Sequence, residues 1–206
     1  MPNDFPKWQL VYYYFSLWKN TGVYDEILAT LNKEVRKSNG RHNSPSPGVI
    51  DSKSMRTYHH CDKEKGIDGN KKIKGIKLQI IVDCLGLILA VYGHAANIHD
   101  SKVAYETVRR LDYNYERLKK VISDGGYRGD DLKHLIKNQF SIDFEVRTKD
   151  VECKKEFTPI PQRWKVERTF SWLENFRRLS MDYEYHIDSF EAMVKIAAIK
   201  IAFKKI

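Results

Sequence analysis

The stretch KKVISDGGYRGDDL, residues 119–132, runs from an apolar segment into an acidic residue followed by two glycines. Val121 and Ile122 are β-branched and typical of an internal strand, and Asp124 comes two positions later. Because Asp-Gly is also a common turn signal, this stretch alone leaves two interpretations open. It forms either a simple turn or a strand end that presents a carboxylate, and the rest of the chain has to decide between them.

The composition fits a basic protein of one domain with a small appendage, because the chain has 206 residues. Lys and Arg outnumber Asp and Glu by 36 to 27, which gives a net charge of +9. Such an excess favours a polyanionic partner, most commonly nucleic acid. A basic protein without such a partner is the alternative.

Cysteine usage and hydropathy indicate a cytoplasmic protein without a membrane partner. The three cysteines are scattered and form no CxxC pair, so neither a disulfide framework nor a zinc ribbon is indicated. The N-terminal residues MPNDFPKW lack the pattern of a signal peptide. The most apolar region, residues 78–93, is interrupted by Asp83 and Gly86 and falls short of a membrane span.

Apolar periodicity predicts a helical segment at the start of the chain. One apolar stripe has helical spacing and predicts a first helix ending near Gly22: Trp8, Val11, Tyr12, Phe15 and Trp18. A second helix follows up to residue 37, and the Pro- and Ser-rich residues 37–48 predict a loop. We therefore expect a helical segment over residues 1–40 and a second domain over residues 41–206.

The second domain begins with strands. Three closely spaced segments, GVIDSKS, GIKLQIIVDCLG and LILAVYGHAA, predict an antiparallel meander. A helix capped by Asp100, a strand at residues 119–124, a helix and a fifth strand come next, and two long helices end the chain, the last one capped by Asp188 or Ser189. The order βββαβαβα predicts an α/β fold with a mixed sheet flanked by helices, which is the order of the ribonuclease H-like fold.

Three carboxylates on these elements predict a metal site. Asp51 lies on the first strand and Asp124 ends the fourth, so parallel pairing of these two strands would bring both acids to one edge of the sheet. Glu167 lies on a helix that must pack on the sheet. Three such acids need a counter-charge, and Mg²⁺ prefers oxygen ligands. Each acid alone has a simpler interpretation as a strand end, a turn or a solvated helix residue; together they favour the metal site.

Five motifs, in order, resemble bacterial insertion-sequence transposases with an Asp-Asp-Glu triad, of the insertion-sequence-five type. They are VIDSKSMRT, KGIKLQIIVDCLGLILAV, GHAANIHDSK, VISDGGYRG and RWKVERTFSWLENFRRLSMDYE. The resemblance implies a ribonuclease H-like catalytic domain that cleaves DNA and transfers strands with Mg²⁺. It also implies that the triad, which binds two metal ions with Mn²⁺ as a substitute, consists of Asp51, Asp124 and Glu167.

The chain departs from the pattern of its relatives in two respects. In related groups the glutamate helix carries a Tyr, Arg, Glu, Lys signature, of which Arg163 and Glu167 match, whereas the other two positions hold Ile160 and Glu174. We expect nearby arginines to take over the phosphate contacts. The relatives also begin with more residues, in a helical region that helps to bind transposon ends, so this copy is expected to be N-terminally truncated.

Basic side chains near these motifs are the predicted DNA contacts. A lysine cluster before the second strand either binds phosphate or prevents a solvated sheet edge from pairing with another chain. The basic cluster around Glu167 is expected to bind DNA. The predicted contacts are Lys71, Lys72, Lys74, Lys77, Arg128, Arg163, Lys165, Arg168, Arg177 and Arg178. Trp164 and Trp172 are expected in the core rather than as platforms for bases.

The sequence thus predicts a transposase that binds transposon ends and target DNA and forms a homo-oligomer on the DNA. In the predicted reaction, water attacks a phosphodiester and leaves a 3′-hydroxyl, which then attacks target DNA. Two alternatives remain open: a truncated remnant that binds DNA without transposing, and a stand-alone nuclease.

Overall fold

A computed structural model describes residues 4–58, 65–111, 115–147 and 163–206 of the chain. The strands are β1 (Pro47–Arg56), β2 (Gly66–Ile67), β3 (Lys74–Val82), β4 (Ile88–Ala95), β5 (Lys120–Asp124) and β6 (Asp143–Arg147). The helices are α1 (Trp8–Asn20), α2 (Val23–Ser38), α3 (Asp100–Arg109), α4 (Asp130–Phe140), α5 (Arg163–Glu174), α6 (Arg177–Ser180) and α7 (Ile187–Phe203).

The strands form one mixed sheet around β1. This strand pairs antiparallel with β3 and parallel with β5, β3 also pairs antiparallel with β4, and β5 pairs parallel with β6. The resulting order β4-β3-β1-β5-β6 confirms the predicted mixed sheet and its ribonuclease H-like arrangement. The short strand β2, which the sequence did not predict, pairs with the first residues of β3.

Helices cover both faces of the sheet, which explains why β3 is buried from Gly75 to Val82. On one face, Val49 and Ile80 lie in a cluster with Val166 and Phe170 of α5 and with Phe190 of α7. On the other face, a second cluster contains residues of β1, β3 and β5 together with α3 and α4: Ile50, Ile81, Val121, Val108 and Ile136. The sheet is therefore the middle layer of three.

Helix α2, part of the predicted segment 1–40, packs into this core. Its Leu28 joins the cluster formed by α5 and α7. Arg36 forms a buried ion pair with Asp83 in the turn between β3 and β4. Asp83 also accepts hydrogen bonds from the backbone N–H groups of Leu85 and Leu87, so one carboxylate shapes the turn and holds α2.

Helix α1 has a different environment, since none of its residues is buried. It touches the rest of the chain through Phe15 and Trp18, whose rings contact Tyr24, and through an ion pair between Lys19 and Asp188. Most of its large apolar side chains are exposed, Trp8 by 62%, whereas Phe15 is half-buried. The predicted helix is confirmed, but most of its apolar stripe is not covered by the described part of the chain.

Details of several helices differ from the sequence-based expectation. The first of the two long helices expected at the end of the chain is interrupted, because α5 ends at Glu174 and the extended backbone of Phe176 precedes the short α6. The cap of α3 is His99, whose ring accepts the N–H of Ser101, and not Asp100. The cap residue of α7 is His186, which makes no side-chain capping bond. Across the described ranges, no helix is both long and apolar enough to cross a membrane.

Candidate active site

The candidate site lies where β1 and β5 stop pairing. Their parallel pairing ends at Val49 and Ile122, whereas β1 stays paired with β3 as far as Arg56. Asp51 and Asp124 each lie two residues beyond that last pair, in the same direction along parallel strands. The structure thus confirms that the first and fourth predicted strands are parallel neighbours, and it places both acids at the same edge.

Asp124 is held by the turn that follows it. Its carboxylate Oδ1 accepts the N–H of Gly126 at 2.9 Å, within a 3-10 turn over Gly125–Tyr127. A Cβ at Gly126 would lie 3.1 Å from that oxygen, so a residue without a side chain lets the carboxylate approach closely. The two interpretations of SDGGY are therefore compatible, because the same acid shapes the turn and lies at the strand end.

Asp51 lies in the partly exposed centre of β1. Its Oδ1 accepts the N–H of Ser52 at 2.7 Å. Residues 51–53 are half-buried, whereas the residues directly before and after them are buried. The sheet therefore opens to solvent at Asp51, where a substrate could reach it.

Glu167 is an exposed residue of α5, the helix that packs on β1 through its buried residues Val166 and Phe170. The next two residues bond to the turn between β3 and β4, since the Arg168 guanidinium donates to Leu85 O at 3.0 Å and the Thr169 hydroxyl to Gly86 O at 2.9 Å. Glu174, seven residues after Glu167, pairs with Lys53 of β1. Because seven residues make two helical turns, Glu167 and Glu174 share one flank of the helix. The approach of Glu167 to Asp51 therefore stays a prediction.

The three acids offer oxygen ligands alone, and this donor set fits a hard divalent cation such as Mg²⁺. Within the described residues, however, no group of three or more His, Cys, Asp or Glu side chains is close enough to hold a metal ion. The strand register brings Asp51 and Asp124 to the same end of adjacent strands, and the metal binding of the triad stays a prediction.

Tyr127 lies beneath the site and was not predicted from the sequence. The ring is 1% exposed, and its hydroxyl accepts a hydrogen bond from Gln79 Nε2 at 2.9 Å. Burial raises the pKa of the Tyr127 phenol well above its usual value, and the negative charges of Asp51, Asp100 and Asp124 raise it further. The charges of Asp51 and Asp124, the two candidate ligands on the strands, therefore both raise the pKa of this buried hydroxyl. The sequence feature that could have indicated this buried residue is an aromatic side chain directly after two glycines.

The lysine cluster divides into exposed and buried members. Lys71, Lys72 and Lys74 are exposed around the start of β3. Lys77 is 8% exposed, and its ammonium group lies 3.2 Å from the Asp100 carboxylate and donates to Ile98 O at 3.3 Å. The prediction that Lys77 contacts DNA is therefore wrong, because its ammonium group is buried and pairs with Asp100.

Arg168 also has internal partners. Its guanidinium lies 4.6 Å from the ring centroids of both Trp164 and Trp172. The Lys205 ammonium lies 3.7 Å from the ring centroid of Trp172. Burial, followed by the charge of Arg168, lowers the pKa of Lys205. Trp164 is 51% exposed, so the expectation that it lies in the core is wrong.

The remaining predicted DNA contacts lie on the surface or outside the residues that the structure describes. Arg128 and Arg177 are exposed, Lys165 is half-buried, and Arg178 pairs with Glu184 at 2.6 Å. The backbone of Arg163 begins α5, but its side chain, like residue 160 of the signature, lies outside the described residues. Glu174, at the lysine position of that signature, pairs with Lys53.

Residues 42–199 match the family described as Transposase DDE domain. The chain therefore belongs to this family, which confirms the predicted Asp-Asp-Glu transposase class.

One curated relative and one solved structure add context. The chain is 27% identical over 136 residues to the putative transposase for insertion sequence element IS402 of Burkholderia cepacia, covering 63% of each protein. It thus spans less than two thirds of that relative's length. A piggyBac transposase, solved by cryo-electron microscopy as a synaptic complex with hairpin DNA, matches 76% of this chain and 46% of its own, with 10% identity and a TM-score of 0.43. At that level it adds nothing to the topology described above.

Proposed function

We propose that this chain is a DNA transposase of the insertion-sequence-five type, which cleaves strands at transposon ends and joins them to target DNA. The observation that carries the proposal is the placement of Asp51 and Asp124 on adjacent parallel strands, in a chain of the transposase DDE family. Glu167 on α5, the helix that packs on β1, completes the proposed triad. The enzyme would act on DNA in the bacterial cytoplasm as a homo-oligomer.

Asp51, Asp124 and Glu167 would hold two Mg²⁺ ions, for which Mn²⁺ could substitute. When bound, such ions neutralise developing charge and favour the attack of water or a hydroxyl on phosphorus. In the proposed reaction, water attacks a phosphodiester and breaks the bond to a 3′-oxygen, which leaves as a 3′-hydroxyl. That hydroxyl then attacks a phosphodiester of target DNA and forms a new bond to phosphorus, while the bond to the target strand's 3′-oxygen breaks and releases a 3′-hydroxyl. No covalent bond to the protein forms.

The chain's own residues would position these groups. The Gly126 N–H fixes one oxygen of Asp124, while Tyr127, with its raised pKa, stays protonated and adds no negative charge beneath the carboxylates. Exposed basic residues would bind the DNA backbone, which gives affinity without sequence choice. They are Lys71, Lys72, Lys74, Arg128, Arg177 and Arg178, joined by Lys165 and Arg163.

The substitution Asp124→Asn tests the proposal. Metal-free stability should be retained, because the Asn side-chain oxygen can still accept the Gly126 N–H. The rise in melting temperature on adding Mn²⁺ should shrink, since one ligand charge is lost and binding to the folded state stabilises it. Metal-dependent nicking of plasmid DNA should disappear.

Asp131→Asn is the matched control, because Asp131 is an exposed acid in the first turn of α4. It should leave both the metal-induced shift and the nicking unchanged. Equal metal-induced shifts in the wild type and Asp124→Asn would show that SDGGY serves only as a turn and would contradict the proposed site. Nicking of random DNA without joining would favour a stand-alone nuclease.

A further inference from the structure

Lys53 shares a strand face with Asp51. Alternate residues of a strand point to the same side of the sheet, so Val49, Asp51, Lys53 and Met55 form one row on β1. Val49 and Met55 lie in the buried cluster with residues of α5, and the half-buried residues 51–53 lie between them. Lys53 is therefore in the same solvent-accessible opening as the candidate ligand Asp51.

The Lys53 side chain extends along α5. Its Nζ forms an ion pair with Glu174 Oε1 and lies 5.9 Å from the ring centroid of Phe170. Glu174 is on the same flank of the helix as Glu167, two turns further on. The Lys53 ammonium thus lies between the strand that carries one proposed ligand and the helix flank that carries another.

The pair with Glu174 leaves the ammonium able to bind a further anion. The two side chains are 31% and 51% exposed, and pairs this exposed contribute little to stability because water screens them. An ammonium group also has three N–H donors, so contact with one carboxylate oxygen leaves donors available. A phosphate oxygen could bind the Lys53 ammonium together with Glu174 or in place of Glu174.

We propose that Lys53 is a substrate-binding residue that contacts a DNA phosphate beside Asp51, with Glu174 holding its side chain in place. This inference rests on the proposed function. A site with three carboxylates repels the DNA backbone, so a cation on the same face lowers that repulsion. Lys77 is buried and pairs with Asp100, whereas Lys53 is partly exposed beside Asp51.

The test compares Lys53→Met, Lys53→Arg and Glu174→Gln in metal-free DNA binding over a range of salt concentrations. Loss of one phosphate contact lowers the slope of log affinity against log salt by about 0.9 on duplex DNA, so Lys53→Met should show this decrease. Lys53→Arg should restore the slope. Glu174→Gln should bind DNA more tightly than the wild type, because a competing negative charge is removed.

Lys37→Met is the matched control, since Lys37 forms an exposed pair with Glu34 on α2. It removes an equal charge and should leave the slope close to that of the wild type. In nicking assays with metal, Lys53→Met should raise KM more than it lowers kcat.

An unchanged slope in Lys53→Met, with wild-type DNA binding intact, would overturn this inference alone and leave Lys53–Glu174 as a link between β1 and α5. If Lys53→Met does not fold, Lys53→Gln decides, since Gln can still contact Glu174 but has no charge to pair with a phosphate. A wild-type chain that does not bind DNA would overturn the proposed function together with this inference.

Discussion

Asp124 combines a local structural role with the proposed chemistry. The Gly126 N–H that closes the 3-10 turn also orients the carboxylate, so the direction of the proposed ligand is set by backbone two residues away. Such a hydrogen bond to a charged oxygen is stronger than one between neutral groups. The turn therefore positions the carboxylate before any metal binds.

The substitution Gly126→Ala tests this orientation. The added Cβ would lie 3.1 Å from Asp124 Oδ1, so the carboxylate has to move by a few tenths of an ångström. Because small displacements at a reacting centre are costly, we expect plasmid nicking to fall about tenfold or more. The free energy of unfolding should change by less than about 1 kcal/mol.

Gly69→Ala provides the control, since a Cβ there would meet no atom within 4 Å. Nicking by Gly69→Ala should match the wild type. Equal nicking by the two alanine variants would mean that the position of the Asp124 carboxylate does not limit the reaction.

At the scale of elements, the buried pair between Arg36 and Asp83 joins α2 to the sheet. The side chains are 5% and 0% exposed, and Arg36 Nε also donates to His42 O at 2.7 Å. Both charges are thus removed from water and satisfied by several partners. Because Asp83 also shapes the turn from β3 to β4, the position of α2 and that of the turn depend on the same contact.

Arg36→Met should lower the free energy of unfolding by about 3–5 kcal/mol, because it leaves the Asp83 charge buried without its partner. Urea denaturation measures this loss. Lys37→Met, one position later, breaks an exposed pair with Glu34 and should cost no more than about 1 kcal/mol. Similar losses in the two variants would show that burial does not distinguish these pairs.

At the scale of the whole molecule, the net charge of +9 is distributed unevenly between surface and interior. Lys77 is buried and Arg168 is half-buried against Trp164 and Trp172, whereas Lys71, Lys72 and Lys74 are exposed. Long-range attraction for DNA therefore depends on which cations reach the surface as well as on the total.

Replacing Lys71, Lys72 and Lys74 with Ala should flatten the salt dependence of DNA binding. Each lost phosphate contact lowers the slope of log affinity against log salt by about 0.9. The control replaces three exposed lysines elsewhere, Lys7, Lys102 and Lys204, and removes the same total charge. If both triple variants show the same slope, the lysines before β3 do not form a specific contact surface.

The sequence predicted the strands and their neighbours well, because patterns such as the β-branched residues before Asp124 are local. It could not predict the burial of Lys77, since the acidic partner Asp100 comes from a distant part of the chain. Nor could periodicity show that the stripe on α1 is exposed, because burial depends on what packs against a helix. The triad's elements were likewise predictable, whereas the distances between its carboxylates depend on how α5 lies over β1.

The four tryptophans of this chain occur as two pairs, Trp8 and Trp18 on α1 and Trp164 and Trp172 on α5. The sheet contains none, so intrinsic tryptophan fluorescence would report on these two helices and would not detect changes in the strands. The α1 pair is largely exposed, by 62% and 44%, whereas Trp172 has cations on its ring. A neutral quencher would reach both α1 tryptophans and the 51% exposed Trp164 more readily than Trp172. If DNA binds at the proposed site, a spectral change on adding DNA would come from α5.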